Sequence, residues 1–317
     1  MRFWESKKIL VTGGAGFLGK HVVNGLGNIG VKKDNILVPR IKDCDLRIQK
    51  NCNKVVLGID IVIHIAARVG GIKINKERPG EMFYDNAIMG IQLMEAARQA
   101  GVKKFVAISS VCAYPKDTPI PFREVNLWNG YPEETSAAYG LAKKMLLVQS
   151  QAYRKQYGFN AICLLPVNLY GPGDNFDVDS GHVIAALIRK FNEAKKNGDL
   201  SVEVWGSGMA TREFLYVKDA ANGIIRATEI YNNHEPVNLG TGEEVTIKSL
   251  AVLIADLMNF NGKICWDRSK PDGQPRRCLD VSRAFQEFGF KAEISLKEGL
   301  KRTIDWYLEK KEKLCYL

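Results

Sequence analysis

The feature that most constrains the fold is a glycine-rich loop close to the start of the sequence. A β-branched run at residues 8–12 leads straight into this loop, and a helical pattern begins within it. The loop consists of Gly13, Gly14, Ala15, Gly16, Phe17, Leu18 and Gly19. Glycines at this spacing permit a tight turn and close backbone approach, so the free N–H groups of the following helix can hold a pyrophosphate. The loop therefore predicts a strand–turn–helix unit that binds a dinucleotide.

Strands and helices continue to alternate after this unit. The predicted strands cover residues 35–38, 60–65, 104–109 and 161–165. The predicted helices begin near residue 17 and cover about 82–100 and 137–157. This alternation predicts an α/β fold, a doubly wound parallel sheet of the Rossmann type with helices on both faces. Ligands bind at the carboxyl ends of the strands in such sheets, so functional side chains are expected there.

The pattern changes after Tyr170, where turns and short strands predict a smaller, C-terminal substrate-binding lobe. A strand at 236–240 is expected to return to the main sheet, and the last helix is expected to end near Leu308. The sequence thus predicts a nucleotide-binding domain and a lobe. The first comprises residues 1–170 plus 217–260, and the second comprises residues 171–216 plus 261–317.

Composition limits the classes of partner. Of 317 residues, 46% are hydrophobic and 25% charged, as expected for a globular chain with a full core. The net charge of +10 is compatible with nucleic acid, anionic membranes or phosphate-rich metabolites. The basic residues occur as scattered pairs and no apolar run approaches the ~20 residues of a membrane span, so we expect neither a nucleic-acid nor a membrane partner.

The seven cysteines do not suggest an exported protein. Their number is odd and no Cys-x-x-Cys is present, so neither a disulfide framework nor a metal site is predicted. Reduced thiols in a cytoplasmic protein are expected.

The end of the second predicted strand bears on the choice of nicotinamide cofactor. An acid there would bind the ribose 2′-hydroxyl of NAD, and a basic residue would bind the 2′-phosphate of NADP. This strand is followed by Arg40 and Lys42, which favours NADP, although both would also suit a solvated surface. Asp45 and Leu46 are expected to lie against the adenine.

A tyrosine and a lysine on one helical face are the first candidates for chemistry. Tyr139 and Lys143 are four residues apart, and a lysine charge close to a tyrosine is expected to lower the pKa of the phenol, which could then serve as acid or base. Ser109 and Ser110 end a predicted strand, where a hydroxyl can bind the same substrate oxygen. With the glycine loop, this set resembles the extended short-chain dehydrogenase/reductase superfamily.

Further motifs resemble the GDP-L-fucose synthase family within that superfamily. They are the segments Arg68-Val-Gly-Gly-Ile, Ser110-Val-Cys112, Pro166-Val-Asn168-Leu-Tyr-Gly-Pro-Gly-Asp-Asn-Phe176, Ser180-Gly-His182, Val204-Trp205-Gly-Ser-Gly, Arg212-Glu-Phe-Leu and Lys270-Pro-Asp272-Gly-Gln-Pro-Arg-Arg277. Members of this family epimerise GDP-4-keto-6-deoxy-D-mannose at C3 and C5 and then reduce C4 with NADPH. The resemblance implies this activity here, with homodimers formed through the helices near 82–100 and 137–157.

The resemblance also implies residue roles. Ser110, Tyr139 and Lys143 would form the reductase triad, and Cys112 and His182 the acid/base pair for epimerisation. The cofactor would also meet Ala66, Ala67, Ser109, Lys143, Pro166, Asn168, Leu169 and His182. The substrate would meet Asn168, Lys190, Trp205, Arg212, Asp272 and Arg277.

The chemistry is consistent with these types of side chain. A C4 ketone acidifies the hydrogens on C3 and C5, so epimerisation needs one group that removes a proton and one that returns it on the opposite face. A thiol and an imidazole both titrate near neutral pH. Outside such motifs, a lone cysteine or histidine is more often structural, as expected for His64 in its apolar strand.

The sequence departs from the pattern of the GDP-L-fucose synthase family at two positions. Ala15 stands where typical members carry an arginine for the 2′-phosphate, and Val111 stands where they carry a serine. The first departure leaves Arg40 or Lys42 to bind the phosphate.

Three alternative functions are considered. The first is a GDP-sugar epimerase without net reduction that retains NAD, such as GDP-mannose 3,5-epimerase, or a related NDP-keto-sugar reductase or epimerase. The second is a non-catalytic dinucleotide sensor, and the third is a charge-driven nucleic-acid binder.

Overall fold

The chain folds into alternating strands and helices, seen in a computed structural model that describes residues 3–177, 181–270 and 272–315. Ser180 and Pro271, which belong to motifs named above, lie outside the described residues. The strands are β1 Ile9–Thr12, β2 Ile36–Leu37, β3 Ile61–His64, β4 Lys104–Ile108, β5 Ala161–Pro166, β6 Asn168–Tyr170, β7 Ser201–Trp205, β8 Thr211–Tyr216, β9 Val237–Leu239, β10 Glu244–Thr246 and β11 Lys263–Asp267. The helices are α1 Phe17–Asn28, α2 Gln49–Val55, α3 Ile72–Glu77, α4 Pro79–Gln99, α5 Ala137–Tyr157, α6 Val183–Asn197, α7 Val217–Ile230, α8 Ile247–Leu257, α9 Ser282–Phe288 and α10 Leu296–Cys315.

Six strands form one parallel sheet in the order β2-β1-β3-β4-β5-β9. Every residue of β1, β3, β4 and β5 is buried, as expected when helices cover both faces. Helices α1 and α7 pack together, and α4 packs against α2 and α5. This confirms the predicted doubly wound sheet. The strand order changes direction between β1 and β3, which is where such folds bind their ligands.

The second part of the molecule has its own core. Strands β10, β8 and β6 form a small sheet, and β11 pairs with β7 in parallel. A separate apolar cluster joins α6, α8 and α10, with Phe191, Ile254 and Leu300 fully or almost fully buried. Helix α8 therefore belongs to the second core, although the division expected from the sequence grouped residues 217–260 with the sheet.

Some elements differ from the sequence prediction. The last helix continues to Cys315 rather than ending near Leu308. The sequence also did not indicate the three-residue strands β6 and β10, which flank β8, nor helices α2, α3, α7 and α9. All of these except the 14-residue α7 are short, and such short elements are stabilised by their tertiary neighbours more than by their own pattern. None of the described helices is both long and apolar enough to cross a membrane.

Candidate active site

A cavity of about 1100 Å³ opens at the carboxyl ends of β1, β3, β4 and β5 and extends to the second part of the molecule. The predicted site residues that line it are Gly13, Ala15, Gly16, Phe17, Leu18, Gly19, Arg40, Asp45, Leu46, Ala66, Ala67, Ser109, Ser110, Cys112, Tyr139, Lys143, Pro166, Asn168, Leu169, His182, Arg212 and Arg277. Those that do not line it are Gly14, Lys42, Lys190, Trp205 and Asp272. A wider groove beside α1 and α7, of about 1570 Å³, contains none of the predicted residues.

The glycine loop forms one wall of the cavity, and its backbone is closely packed at Gly13 and Gly16. Gly13 has φ +69°, and a Cβ built there would lie 2.8 Å from the backbone nitrogen of Ala66. A Cβ at Gly16 would lie 3.2 Å from the carbonyl oxygen of Gly13. Helix α1 begins at the next residue without a side-chain cap. Its free N–H groups and positive dipole therefore face a cradle that fits a pyrophosphate.

Arg40 lines this cavity and Lys42 does not. Both side chains are exposed. Asp45 also lines the cavity, and its carboxylate is paired with the Arg47 guanidinium at 2.7 Å. Of the two basic residues predicted from the sequence, the position of Arg40 suits a contact with a 2′-phosphate.

The first catalytic candidates are brought together by a close contact between a turn and a helix. The Ser110 hydroxyl accepts a hydrogen bond from the Cys112 backbone N–H at 3.2 Å, which fixes the short helical turn 111–113. Gly140 on α5 packs directly on this turn, since a Cβ there would lie 2.8 Å from the Cys112 carbonyl carbon. A glycine beside Tyr139 thus lets the phenol reach Ser110 and Cys112.

The electrostatics of Tyr139 differ from the sequence prediction. Burial, with a smaller contribution from Cys112, raises the pKa of Tyr139 above its usual value, while a hydrogen bond with Ser110 opposes this shift. The predicted lowering by Lys143 is wrong for the side chains as placed, because desolvation outweighs the other influences. Tyr139 is therefore protonated at neutral pH and can donate to a substrate oxygen.

Lys143, four residues after Tyr139 on α5, is almost fully buried. Only 2% of the residue is exposed, and burial lowers its pKa to about 8. Its backbone carbonyl accepts a hydrogen bond from the Ser109 hydroxyl at 3.4 Å, which ties α5 to the end of β4. A partly charged ammonium in a closed site of this kind binds hydroxyl groups strongly.

Cys112 and His182 enter the same cavity from different elements, and each has a charged neighbour. The Sγ of Cys112 lies 3.8 Å from Nη1 of Arg277. The Nδ1 of His182, the residue that precedes α6, lies 3.7 Å from Oδ1 of Asp174. Asp174 raises the pKa of His182 by hydrogen bonding, against the lowering effect of burial. A carboxylate beside the imidazole favours the protonated form of His182.

The predicted substrate contacts divide into two groups. Arg212 donates to the carbonyl oxygens of Thr211 and Gln274, so it anchors the loop that carries Arg277. Outside the cavity, Nζ atoms of Lys190 and Lys270 each lie 5.6 Å from the centre of the exposed Trp205 ring.

Asp272, like Lys190 and Trp205, lies outside the cavity. Its carboxylate accepts hydrogen bonds from the backbone and hydroxyl of Ser207, each at 2.7 Å. The exposed ring of Trp205, at 62% exposure, shows that this tryptophan is not core.

Sequence reasoning missed several residues of the site. Asp174 and Gln274 lie within motifs quoted above, but no spacing rule connected them with His182 or Arg277. Glu133 and Asp85 also line the cavity, and Asp85 pairs with Arg68 at 2.8 Å. Nothing in the local pattern distinguishes these side chains from solvated ones, because the contacts arise between distant segments.

Comparison with known proteins places this site in a family. Residues 9–240 match the family model described as the NAD dependent epimerase/dehydratase family. A probable GDP-L-fucose synthase 1 from Oryza sativa subsp. japonica is 40% identical over 306 residues, which are 95% of this chain and 92% of that protein. The chain belongs to the NAD dependent epimerase/dehydratase family and, within it, to the GDP-L-fucose synthase family.

Solved structures agree with this assignment. A GDP-L-fucose synthetase from Naegleria fowleri bound to NADP has a TM-score of 0.87 at 31% identity, covering 98% of this chain and 97% of that one. A GDP-6-OMe-4-keto-L-xylo-heptose reductase from C. jejuni has a TM-score of 0.89 at 27% identity, covering 98% and 99%.

Proposed function

We propose that this protein converts GDP-4-keto-6-deoxy-D-mannose to GDP-L-fucose by epimerisation at C3 and C5 and reduction at C4 with NADPH. The observation that carries the proposal is that Ser110, Cys112, Tyr139, Lys143 and His182 line one cavity with a dinucleotide-type glycine loop. The rice relative and the NADP-bound Naegleria fowleri structure support the same activity.

Epimerisation uses Cys112 and His182, which enter the cavity from different elements. Cys112, beside Arg277, removes the proton from C3 or C5, and His182, beside Asp174, returns one from the other side. Ser110 and the protonated Tyr139 donate hydrogen bonds to the C4 oxygen, which carries the enolate charge in these steps. One ketone thus activates both carbons, so one pair of residues serves both epimerisations.

Reduction uses the same ketone. NADPH supplies a hydride when bound, and the glycine loop, Arg40 and Lys143 are the residues that would hold it. Tyr139 supplies the proton to the C4 oxygen, and its raised pKa keeps that proton available at neutral pH. Lys143 would donate to the ribose hydroxyls from a nearly buried position.

The deciding experiment is incubation of the purified protein with GDP-4-keto-6-deoxy-D-mannose and NADPH. We expect NADPH oxidation with formation of GDP-L-fucose, and deuterium uptake at C3 and C5 in D₂O without NADPH. Tyr139→Phe should lose the reduction. Absence of NADPH oxidation in the wild type would overturn the reductase assignment, and deuterium uptake would then indicate the epimerase without net reduction.

A C4 reductase without epimerisation is the second candidate, because the similar C. jejuni structure is a keto-heptose reductase. It predicts NADPH oxidation without deuterium uptake at C3 and C5. Retention of Cys112 and His182 in one cavity favours the double epimerisation.

We also infer a homodimer that joins α4 and α5 of two copies. Phe83 and Tyr84 on α4, and Met145 and Val148 on α5, are exposed apolar side chains on two helices that pack together. Sedimentation should report twice the 35.4 kDa of one chain. Val148→Asp should produce monomers, whereas Val252→Asp, which changes an exposed valine on α8, should not.

We also propose that the two parts of the chain bind different ligands. Residues 1–170 plus 217–260, apart from α8, bind the cofactor, and residues 171–216 plus 261–317 bind the nucleotide sugar. A cytoplasmic location is supported by six unpaired cysteines among the residues whose side chains are described. A fluorescent fusion observed in cells tests this location.

A further inference from the structure

Asp174 is a buried carboxylate beside the cavity, and the mechanism above uses it only as a charge close to His182. Only 3% of its side chain is exposed. Its Oδ1 accepts the Asn175 backbone N–H at 2.7 Å and faces Nδ1 of His182 at 3.7 Å. Its Oδ2 is buried and has no hydrogen-bond partner within the described part of the chain. A buried carboxylate with an unpaired oxygen costs free energy unless a cation lies beside it.

We propose that Asp174 is a positioning residue for His182: its carboxylate holds the Nδ1 proton of the imidazole and leaves Nε2 for proton transfer to the substrate carbon. The inference rests on the proposed function for its role in turnover. The pairing itself is a property of the free protein and can be measured without substrate.

The segment that carries Asp174 is fixed on both sides. The backbone N–H of Asp174 donates to the Gly171 carbonyl at 3.2 Å, and Gly173 adopts φ +90°, which favours glycine. Two residues later, the Phe176 ring stacks on Tyr307 of α10 with centroids 4.5 Å apart. The carboxylate is thus held by the fold, while the side chain of His182 is 49% exposed. A fixed, buried group that faces a more exposed side chain can orient it.

The electrostatics agree with this geometry. Of the ionisable groups in the described ranges, only Asp174 acts on the pKa of His182, and it raises that pKa against burial. The imidazolium form of His182 can give its Nε2 proton to the enolate carbon, after which the neutral ring keeps the Nδ1 proton that faces Asp174. The Cys112 thiolate meanwhile gains the proton from the substrate, and exchange with water restores both groups.

The test uses NMR titration of the ¹⁵N-labelled histidines, of which the chain has four, with His182→Gln to assign the signal. In the wild type we expect the neutral ring of His182 to be the Nδ1–H tautomer. In Asp174→Asn the pKa of His182 should fall. Asp199→Asn, the same substitution at an exposed site beyond the other end of α6, should leave it unchanged.

Activity measurements then separate positioning from structure. Asp174→Asn should lower deuterium uptake at C3 and C5 roughly tenfold and move its pH optimum downward, with NADPH affinity unchanged. If Asp174→Asn does not fold, the wild-type tautomer still decides: an Nε2–H tautomer overturns the inference. An unchanged His182 pKa, or an unchanged rate and pH profile of uptake, also overturns it. Failure of the proposed function would instead appear as absent uptake in the wild type with the tautomer and pKa as expected.

Discussion

The guanidinium of Arg277 lies 3.8 Å from the thiol sulfur of Cys112, although the two residues are 165 positions apart. Gln274 holds Arg277 in place, with its Oε1 accepting from Nε at 3.2 Å and Nη2 at 2.9 Å. Gln274 in turn donates to the Lys116 carbonyl at 2.7 Å. The resemblance implies that Arg277 meets the substrate, and the structure places its guanidinium beside the candidate base.

Replacing Arg277 should therefore affect proton removal more than substrate binding. Arg277→Met removes the positive charge next to the thiolate, and charge-assisted contacts contribute roughly 1.5–3 kcal/mol. We expect deuterium uptake at C3 and C5 to slow by about tenfold or more. The measurement is uptake in D₂O without NADPH, with kcat and KM determined separately.

Arg276→Met is the matched control. That neighbouring guanidinium pairs with Glu244 rather than with Cys112, so proton uptake should be retained. A higher KM with unchanged kcat in Arg277→Met would mean that Arg277 serves substrate binding, as the resemblance implies, rather than proton removal.

Arg40 should set the preference for NADPH over NADH. Arg40→Ser removes the basic side chain that lines the cavity and should lower the preference about 10- to 100-fold, because a guanidinium–phosphate contact is charge-assisted. Lys42→Ser should have little effect, since Lys42 does not line the cavity. The measurement is kcat/KM for both cofactors, and equal losses in the two variants would refute a special role of Arg40.

Lys143 should make the stability of the free protein depend on alkaline pH. Its pKa is about 8 in the folded protein and near 10.4 in an unfolded chain. Below pH 8 the buried charge therefore lowers the free energy of unfolding. That cost disappears as the pH rises from about 8 to 10.4, where the unfolded chain binds more protons.

Lys143→Met should remove this dependence. The variant should gain stability relative to the wild type at pH 7, and the gain should shrink as pH approaches 9.5, while NADPH-dependent reduction is lost. Urea unfolding at several pH values measures the difference. A gain that is constant with pH would show that Lys143 is not the titrating group.

His64 should destabilise the protein in acid. It is 1% exposed, forms a 2.8 Å hydrogen bond between Nδ1 and Thr12 Oγ1, and burial lowers its pKa to about 3. An unfolded chain binds its proton near pH 6.5, so folded stability falls as pH drops from 6.5 toward 3. One such group contributes a slope of at most ~1.4 kcal/mol per pH unit.

Comparison of His64→Asn with the wild type checks this assignment. The variant should be less stable at pH 7 because it loses packing around the ring, but its stability should fall less steeply between pH 6.5 and 4. Parallel pH profiles for the two proteins would assign the acid sensitivity to other groups.

Much of the nucleotide-binding half could be predicted from its residues. The loop 13–19, the helix 137–157 and the alternation of strands and helices follow from local periodicity and from glycine requirements, which neighbouring residues determine. The structural role expected for His64 was also confirmed by its burial and its bond to Thr12.

Short elements and partners from distant segments could not be predicted in this way. Strands β6 and β10 exist because β8 lies between them, and α8 packs with the second core because of its contacts with α6 and α10. The pKa of Tyr139 depends on burial, which only packing produces. Burial raises this pKa, whereas the sequence argument from Lys143 predicted that it would be lowered.

The amino-acid sequence alone determined the parallel sheet, the dinucleotide loop and the types of catalytic side chain, because these depend on spacing within one segment. Only the tertiary structure decided which charge stands beside each candidate group: Arg277 beside Cys112 and Asp174 beside His182. The first pairing joins the turn after β4 to the loop that carries Arg277, and the second lies within the segment that leads into α6. Distances between segments, and the loss of solvent around them, are set by packing and not by local pattern.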